Sequence, residues 1–235
     1  MTGWSKKRTW EIAYANKTDS GFEIFLDEKK VSTPKNHILL LPTEKLALEI
    51  VREWDEQLDN VEYSKMPFNR LANSSIDKVK TNFDSIVLDL AGYGDTDVVC
   101  YRAETPAELV LRQQKHWDPV LKWAKTELGI SLRTIVGIKY HPQDPGALKK
   151  IFDKINSFDY FSLTALYDLI TISGSVLLAL ATSNEHMRPE IAWEKSVLDE
   201  NWQREKWGND DESILDRTNK LADFKMAYEF LKLLD

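Results

Sequence analysis

The residues best able to do chemistry lie between Trp193 and Glu212. Within that span, the run Leu198-Asp199-Glu200-Asn201-Trp202-Gln203-Arg204-Glu205-Lys206-Trp207-Gly208-Asn209-Asp210-Asp211-Glu212 concentrates tryptophan and acid. On a helix, Trp193, Val197, Glu200, Arg204 and Trp207 share one face at steps of three and four residues. The Glu200 carboxylate then stands beside two large aromatics, where an unpaired charge is costly. Two arrangements relieve it: an ion pair with Arg204 four residues on, or an arginine or backbone amide brought by a partner. A bulky aromatic beside a fixed acid is also what a binding hot spot needs, the ring giving area and the acid giving orientation. Acid catalysis is a third use of Glu200, but no recognisable motif sets a second acid, a nucleophile or a base beside it. A helix corner closed by a salt bridge and a partner contact both stay open.

Elsewhere the signals are weaker. Asp95-Thr96-Asp97 can chelate a hard cation through paired carboxylates. Two acids in a turn more often cap backbone amides between a helix and a strand. Gly92-Tyr93-Gly94 begins like a dinucleotide fingerprint, yet Asp97 stands where the third glycine belongs and a helix precedes it. His37, His116, His141 and His186 are far apart, without metal-type spacing, and the one cysteine, Cys100, sits in an apolar run as a small core residue. There is no Gly-x-Ser-x-Gly elbow and no phosphate-binding loop. Trp117-Asp118-Pro119, with Trp123, reads as core packing around a proline break. In Met66–Asn73 the polar residues Asn69, Arg70 and Asn73 serve as caps or as contacts, and sequence does not choose. The expectation is no catalytic residue, no cofactor and no metal; the competing reading is a metal-dependent or acid-base enzyme using Asp95, Asp97 or Glu200.

The elements that must carry these residues follow from periodicity. Trp10–Tyr14 and Gly21–Leu26 alternate with period two across a polar turn at Asn16–Ser20. Lys30–Thr33 and Ile38–Leu41 continue a small antiparallel meander. Thr43 caps a helix over Glu44–Leu58, and a second runs from about Ile76 to Gly92. Asp97–Ala103 reads as a short strand. Thr105-Pro106-Ala107-Glu108 reads as a capping box with proline in the first turn, and Pro119 should kink or split the helix that follows. Ser131–Tyr140 alternates as a strand, and Asp144-Pro145 opens another helix. Three further helices are expected, at about Phe161–Ala181, Pro189–Lys206 and Asp210–Leu234, the last capped by Asn209. The fold class is α+β: a β-rich N-terminal domain over 1–42 and a mostly helical domain over 43–235, with short strands near 97–103 and 131–140.

Composition removes several classes of function. A net charge of −7 and a pI near 5.3 argue against a general nucleic-acid binder, which needs clustered Lys and Arg. With 43% hydrophobic residues, disorder is not expected. One cysteine rules out a disulfide-stapled secreted domain. Leu163–Ala181 is apolar but interrupted by Asp168, Thr171 and Ser173, so a buried helix is expected rather than membrane insertion. Met1–Trp10 has neither an apolar core nor a cleavage site, so the expectation is a cytoplasmic protein.

Taken together, the spaced pieces resemble the assembly-chaperone family for the alpha subunit of F1-ATPase, found in mitochondria and related bacteria. They are Leu26-Asp27 with Val31-Ser32-Thr33-Pro34, Leu41-Pro42-Thr43, Glu53-Trp54-Asp55-Glu56-Gln57, Met66-Pro67 with Leu71-Ala72-Asn73, and Asp97 with Cys100-Tyr101-Arg102-Ala103. Gln114 with Trp117-Asp118-Pro119, Gly174-Ser175, and Leu198-Asp199-Glu200 with Gln203, Trp207-Gly208 and Asp210 complete them. The resemblance implies a two-part fold without catalysis. It also implies a protein that binds the free alpha subunit, covers the surface later buried against the beta subunit, and releases it when the hexamer assembles. It places the family's important acid at Glu200, with Asp199, Gln203, Trp207 and Asp210 in support; Trp193 and Arg204 join the expected contact through helical spacing. The expectation is a monomer in the bacterial cytoplasm, or in the mitochondrial matrix for a processed eukaryotic form.

Overall fold

The structure is a computed structural model that describes residues 7–208 and 211–235. It is α+β, with a small antiparallel sheet followed by helices. Strands β1 (Ala13–Thr18) and β2 (Gly21–Leu26) form a hairpin in register Ala13 to Leu26 through Thr18 to Gly21. The turn is tighter than the sequence predicts, because Asn16 and Lys17 stay in the ladder opposite Glu23 and Phe22. Tyr14 and Phe25 face each other across it as stacked rings 5.4 Å apart. The two-residue strands β3 (Lys29–Lys30) and β4 (Leu40–Leu41) both pair with β2. Gly21 sits at φ +141° where a Cβ would lie 2.4 Å from the Leu41 carbonyl oxygen, so the closeness of β4 demands glycine.

Helix α1 (Glu44–Asp55) opens on Thr43, whose hydroxyl accepts from the Leu46 amide at 3.2 Å and donates to the Leu233 carbonyl at 2.5 Å. It ends three residues before the predicted Leu58, which is exposed. Helix α2 (Pro67–Ser74) follows. Its first turn is held by buried Glu53 of α1, whose carboxylate accepts from the amides of Phe68 and Asn69 at 2.7 Å each. Past Ser74 the chain stays helical through a wide turn at Ser75–Val79 and a tight one at Lys80–Asn82 into α3 (Phe83–Gly92). Ile24, Leu39, Leu41, Leu46, Ile50 and Met66 form the core between the sheet and α1–α2. This compact unit comprises the described residues through Phe83, with Tyr160–Ala165 and Glu229–Asp235.

Burial pushes the Glu53 carboxyl up to about 7 against the pull of those two amides. A carboxyl raised in the folded state favours that state fully below its unfolded value of 4.5 and loses the contribution as pH rises through about 7. Urea unfolding across that window should lose roughly 3 kcal/mol of stability through this group. Glu53→Gln should remove that share of the slope; an unchanged slope would refute the assignment.

The second unit comprises Asp84–Asp159 and Leu166–Tyr228. After α3, the predicted strand at 97–103 is a tight helical turn at Val98–Cys100 and the short strand β5 (Tyr101–Arg102). Helix α4 (Ala107–Glu127) begins after Pro106, which occupies the cap position itself, and no side chain caps it. It also runs unbroken through Pro119. The carbonyl that Pro119 cannot satisfy belongs to Lys115, and both residues are exposed, so water can take its place. Of the predicted strand at 131–140 only β6 (Ile135–Val136) forms, pairing in parallel with β5. Helix α5 (Pro145–Asn156) opens where predicted, and Asp144 caps it, accepting from the Ala147 amide at 2.9 Å.

The predicted helix over 161–181 is two, α6 (Tyr160–Ser173) and α7 (Val176–Ser183), divided at Gly174 with φ +66°. Ser175 caps α7, and Val176–Thr182 are all buried, with α4 and α8 packed against the helix. Likewise the predicted Pro189–Lys206 helix breaks at Val197 into α8 (Pro189–Ser196) and α9 (Leu198–Trp207). Helix α10 (Asp211–Lys232) ends the fold; the predicted cap Asn209 lies outside the described residues. Among the described residues no helix is long and apolar enough to cross a membrane.

Candidate functional site

The break at Val197 separates the residues that a continuous helix would have aligned. Trp193 lies on the α8 side, 1% exposed, its ring 6.4 Å from that of Phe224. Trp207 lies at the end of α9 and is 76% exposed. Glu200 is therefore not wedged between two tryptophans. It points to solvent, and among the described residues nothing pairs with its carboxylate. Arg204 does not close on it either. Its guanidinium turns to the Asn201 side-chain oxygen Oδ1, which also accepts from Arg217. Asn201 in turn donates to Glu194 at 2.8 Å, and Arg217 pairs with Glu194 at 2.8 Å.

Other α9 residues tie the helix to α4 and fix its pose. Asp199, half-buried and with its carboxyl raised by that burial, accepts from Gln113 of α4 at 2.8 and 3.0 Å. Glu205 takes a two-pronged ion pair from Arg112 at 2.7 and 2.8 Å, and Lys206 reaches Glu108 at 3.0 Å. The opposite face, made of Glu200, Gln203 and Trp207 at steps of three and four, stays in water. Trp202 backs it, meeting Trp207 edge-on at 5.9 Å. Asp210 lies outside the described residues. Beside α9, a groove of about 560 Å³ runs between α4 and α8–α9, with exposed Leu111 and Ile191 on its walls.

The ties from α4 were missed in the sequence. Arg112, Gln113 and Glu108 carry no local signal, since their partners stand 86 to 98 residues away.

The remaining chemistry-bearing residues are engaged in structure. Asp97 is fully buried and accepts from the amides of Val99 at 3.1 Å and Leu177 at 3.0 Å. Asp95 accepts from the Gln143 amide at 2.7 Å and the Tyr140 hydroxyl at 2.5 Å. Both carboxylates thus cap and tie rather than converge on a cation, and among the described residues no three His, Cys, Asp or Glu side chains gather as a metal ion requires. Cys100 is buried, and that burial pushes its thiol up, away from a reactive thiolate.

What remains on the surface is an orienting acid and an aromatic on a pinned helix, which suits binding. The family model for the ATP12 chaperone protein matches residues 7–125. The crystal structure of Atp12 from Paracoccus denitrificans superimposes with a TM-score of 0.95 at 39% identity, covering 97% of this chain and 98% of that one. The chain belongs to the ATP12 chaperone family. An aspartate-to-lysine mutant of the same Paracoccus protein matches at 38% identity, with TM-score 0.95 and the same coverage. A proposed chaperone from Agrobacterium tumefaciens matches at 33% identity and TM-score 0.93, over 98% of this chain and 87% of that one. The ATP12 assignment agrees with the family resemblance read from the sequence.

Proposed function

We propose that this protein is an ATP synthase assembly chaperone that binds the unassembled alpha subunit of F1-ATPase, shields its beta-facing interface from aggregation, and releases it as the hexamer forms. The observation that carries the proposal is the solvent-facing Glu200 carboxylate, without a partner among the described residues, on the same face as Gln203 and Trp207. Membership of the ATP12 family supports the assembly role. A lone subunit of an obligate complex exposes an apolar interface rimmed by polar groups. Trp207 offers area to such a surface, Leu111 and Ile191 offer an apolar wall, and Glu200 offers a charge that an arginine or backbone amide can meet. In this reading Asp199, Arg204 and Trp193 hold α9 in place, and the protein works as a monomer in the bacterial cytoplasm.

Coexpression tests this directly. The chain should raise the soluble yield of the alpha subunit and leave that of the beta subunit unchanged. Glu200→Lys should abolish the gain with its melting temperature unchanged, because the wild-type carboxylate pairs with nothing among the described residues. Charge reversal of an acid in the Paracoccus relative likewise leaves a fold that superimposes at TM-score 0.95. No gain with the wild type, or full gain with Glu200→Lys, would refute the proposal.

A further inference from the structure

The first unit contains a groove of about 1420 Å³, formed by the β2–β3 turn, the loop after β3, and one side of α2. Its apolar walls include Leu26, Val31, Val61 and Met66 with the rings of Trp10, Trp54 and Tyr63. Trp10 and Trp54 meet edge-on at 5.2 Å, and Trp54 meets Tyr63 at 6.4 Å.

Four side chains lining this groove carry a buried polar atom without a hydrogen-bond partner: Nε1 of Trp10, Nε1 of Trp54, Oδ1 of Asn69 and Oδ1 of Asn73. Buried polar groups in folded proteins are nearly always satisfied, so such a cluster calls for an external partner. Two indole N–H donors and two amide carbonyl acceptors match the alternating C=O and N–H groups of a polypeptide backbone. The spacing matches as well. Asn69 and Asn73 are one helical turn apart, a rise of about 6 Å. Residues on one side of an extended chain repeat every ~6.6 Å.

Charge specifies the occupant further. Lys7, Lys29 and Lys78 line the groove without an ion-pair partner among the described residues, and Arg70, whose charge also acts on the Glu53 carboxylate, adds a fourth cation. Of the lining acids, Glu28 is exposed while Asp27 and Asp77 are already engaged, so three acids stand against the six basic residues Lys7, Lys29, Lys30, Lys35, Arg70 and Lys78. Asp27 accepts from the amides of Glu11 and Ile12, and Asp77 from the Thr33 hydroxyl and the Lys35 amide. The groove is a basic patch on a protein of net charge −7. Aromatics beside lysines can also hold nucleic acid, but orphaned donors and acceptors in equal number fit peptide groups better.

We propose that this groove binds an extended, acidic segment of the client polypeptide, a contact separate from the α9 face. It rests on the reading of the protein as a client-binding chaperone. Short fluorescent peptides sharing the same apolar residues, in acidic, neutral and basic versions, provide the probe, measured by polarisation with the full chain. The acidic version should bind about tenfold more tightly than the basic one. Arg70→Glu combined with Lys78→Glu should remove that preference, and Asn73→Leu should weaken all versions with the melting temperature retained. Lys78→Glu alone serves if the double variant does not fold. Equal binding of all charges, no binding, or displacement by an oligonucleotide of equal charge would overturn the proposal. A wild-type chain that solubilises the alpha subunit but binds no acidic peptide defeats this inference alone. One that binds the peptide without solubilising the subunit defeats only the alpha-subunit reading.

Discussion

Replacing Asp97 with alanine should destabilise the protein by about 3 kcal/mol, which at this chain length lowers the melting temperature by roughly 6–12 °C. Asp97 is 0% exposed and works in two places at once. One oxygen accepts from the Val99 amide, closing the tight turn before β5, and the other accepts from the Leu177 amide in the first turn of α7. Ser175 caps the same helix from its own side, accepting from Leu178 at 3.0 Å. Alanine strands two buried amides, each losing a partner that water cannot replace. Asp97→Asn keeps an acceptor and should cost less. Burial raises this carboxyl to about 6 although the surrounding amides pull it down. Its contribution is therefore complete below the unfolded value of 3.8 and is lost as pH rises through about 6. Urea titrations of the wild type and Asp97→Asn should diverge over that window, a lower one than that of Glu53. A melting temperature unchanged in Asp97→Ala would show that the two amides find other partners.

Local signals in the sequence were reliable where the deciding physics was local. Period-two alternation located the hairpin, and Thr43 and Asp144 cap their helices as their residue types suggest. The Gly174-Ser175 pair was visible as a motif, yet its meaning as a left-handed break followed by a cap is set by how α7 is buried. Val197 carried no warning at all. It is neither glycine nor proline, and it departs from helical geometry at φ −104°, ψ 28°. Trp193, four residues before it, and Leu198, the next residue, are both buried, at 1% and 4% exposure. A straight helix would also have put Trp207 on the buried Trp193 face. The break at Val197 thus removes the aromatic setting that helical spacing predicts for Glu200 and leaves the carboxylate in solvent. The groove residues Trp10, Trp54 and Asn69 come from three separate segments, so their juxtaposition could be learned only from the fold.

Trp117→Ala is the substitution expected to damage both the second unit and its binding face. The ring is 1% exposed, and its Nε1 donates to the Lys195 carbonyl at 2.8 Å, gripping the last turn of α8 just before the Val197 break. Lys195 returns the contact through Nζ to the His116 carbonyl at 2.8 Å. The Arg102 guanidinium lies 5.3 Å from the ring centroid and pairs with Asp118 at 2.9 Å. Truncation removes a large buried ring, leaves a cavity, and strands the Lys195 carbonyl, for a cost of about 3–5 kcal/mol. Trp117→Phe keeps most of the packing and loses chiefly the hydrogen bond, about 1 kcal/mol. The consequence for binding follows from where the clamp sits. Helix α9 takes its direction from the end of α8, and the Gln113–Asp199 and Arg112–Glu205 ties can form only if that end is fixed. Trp117→Ala should therefore lose client rescue together with stability, whereas Glu200→Lys should lose rescue alone. If Trp117→Ala melts early but still rescues the client fully below its melting temperature, the α4 ties alone hold α9 and the Trp117–Lys195 clamp has no part in presenting Glu200.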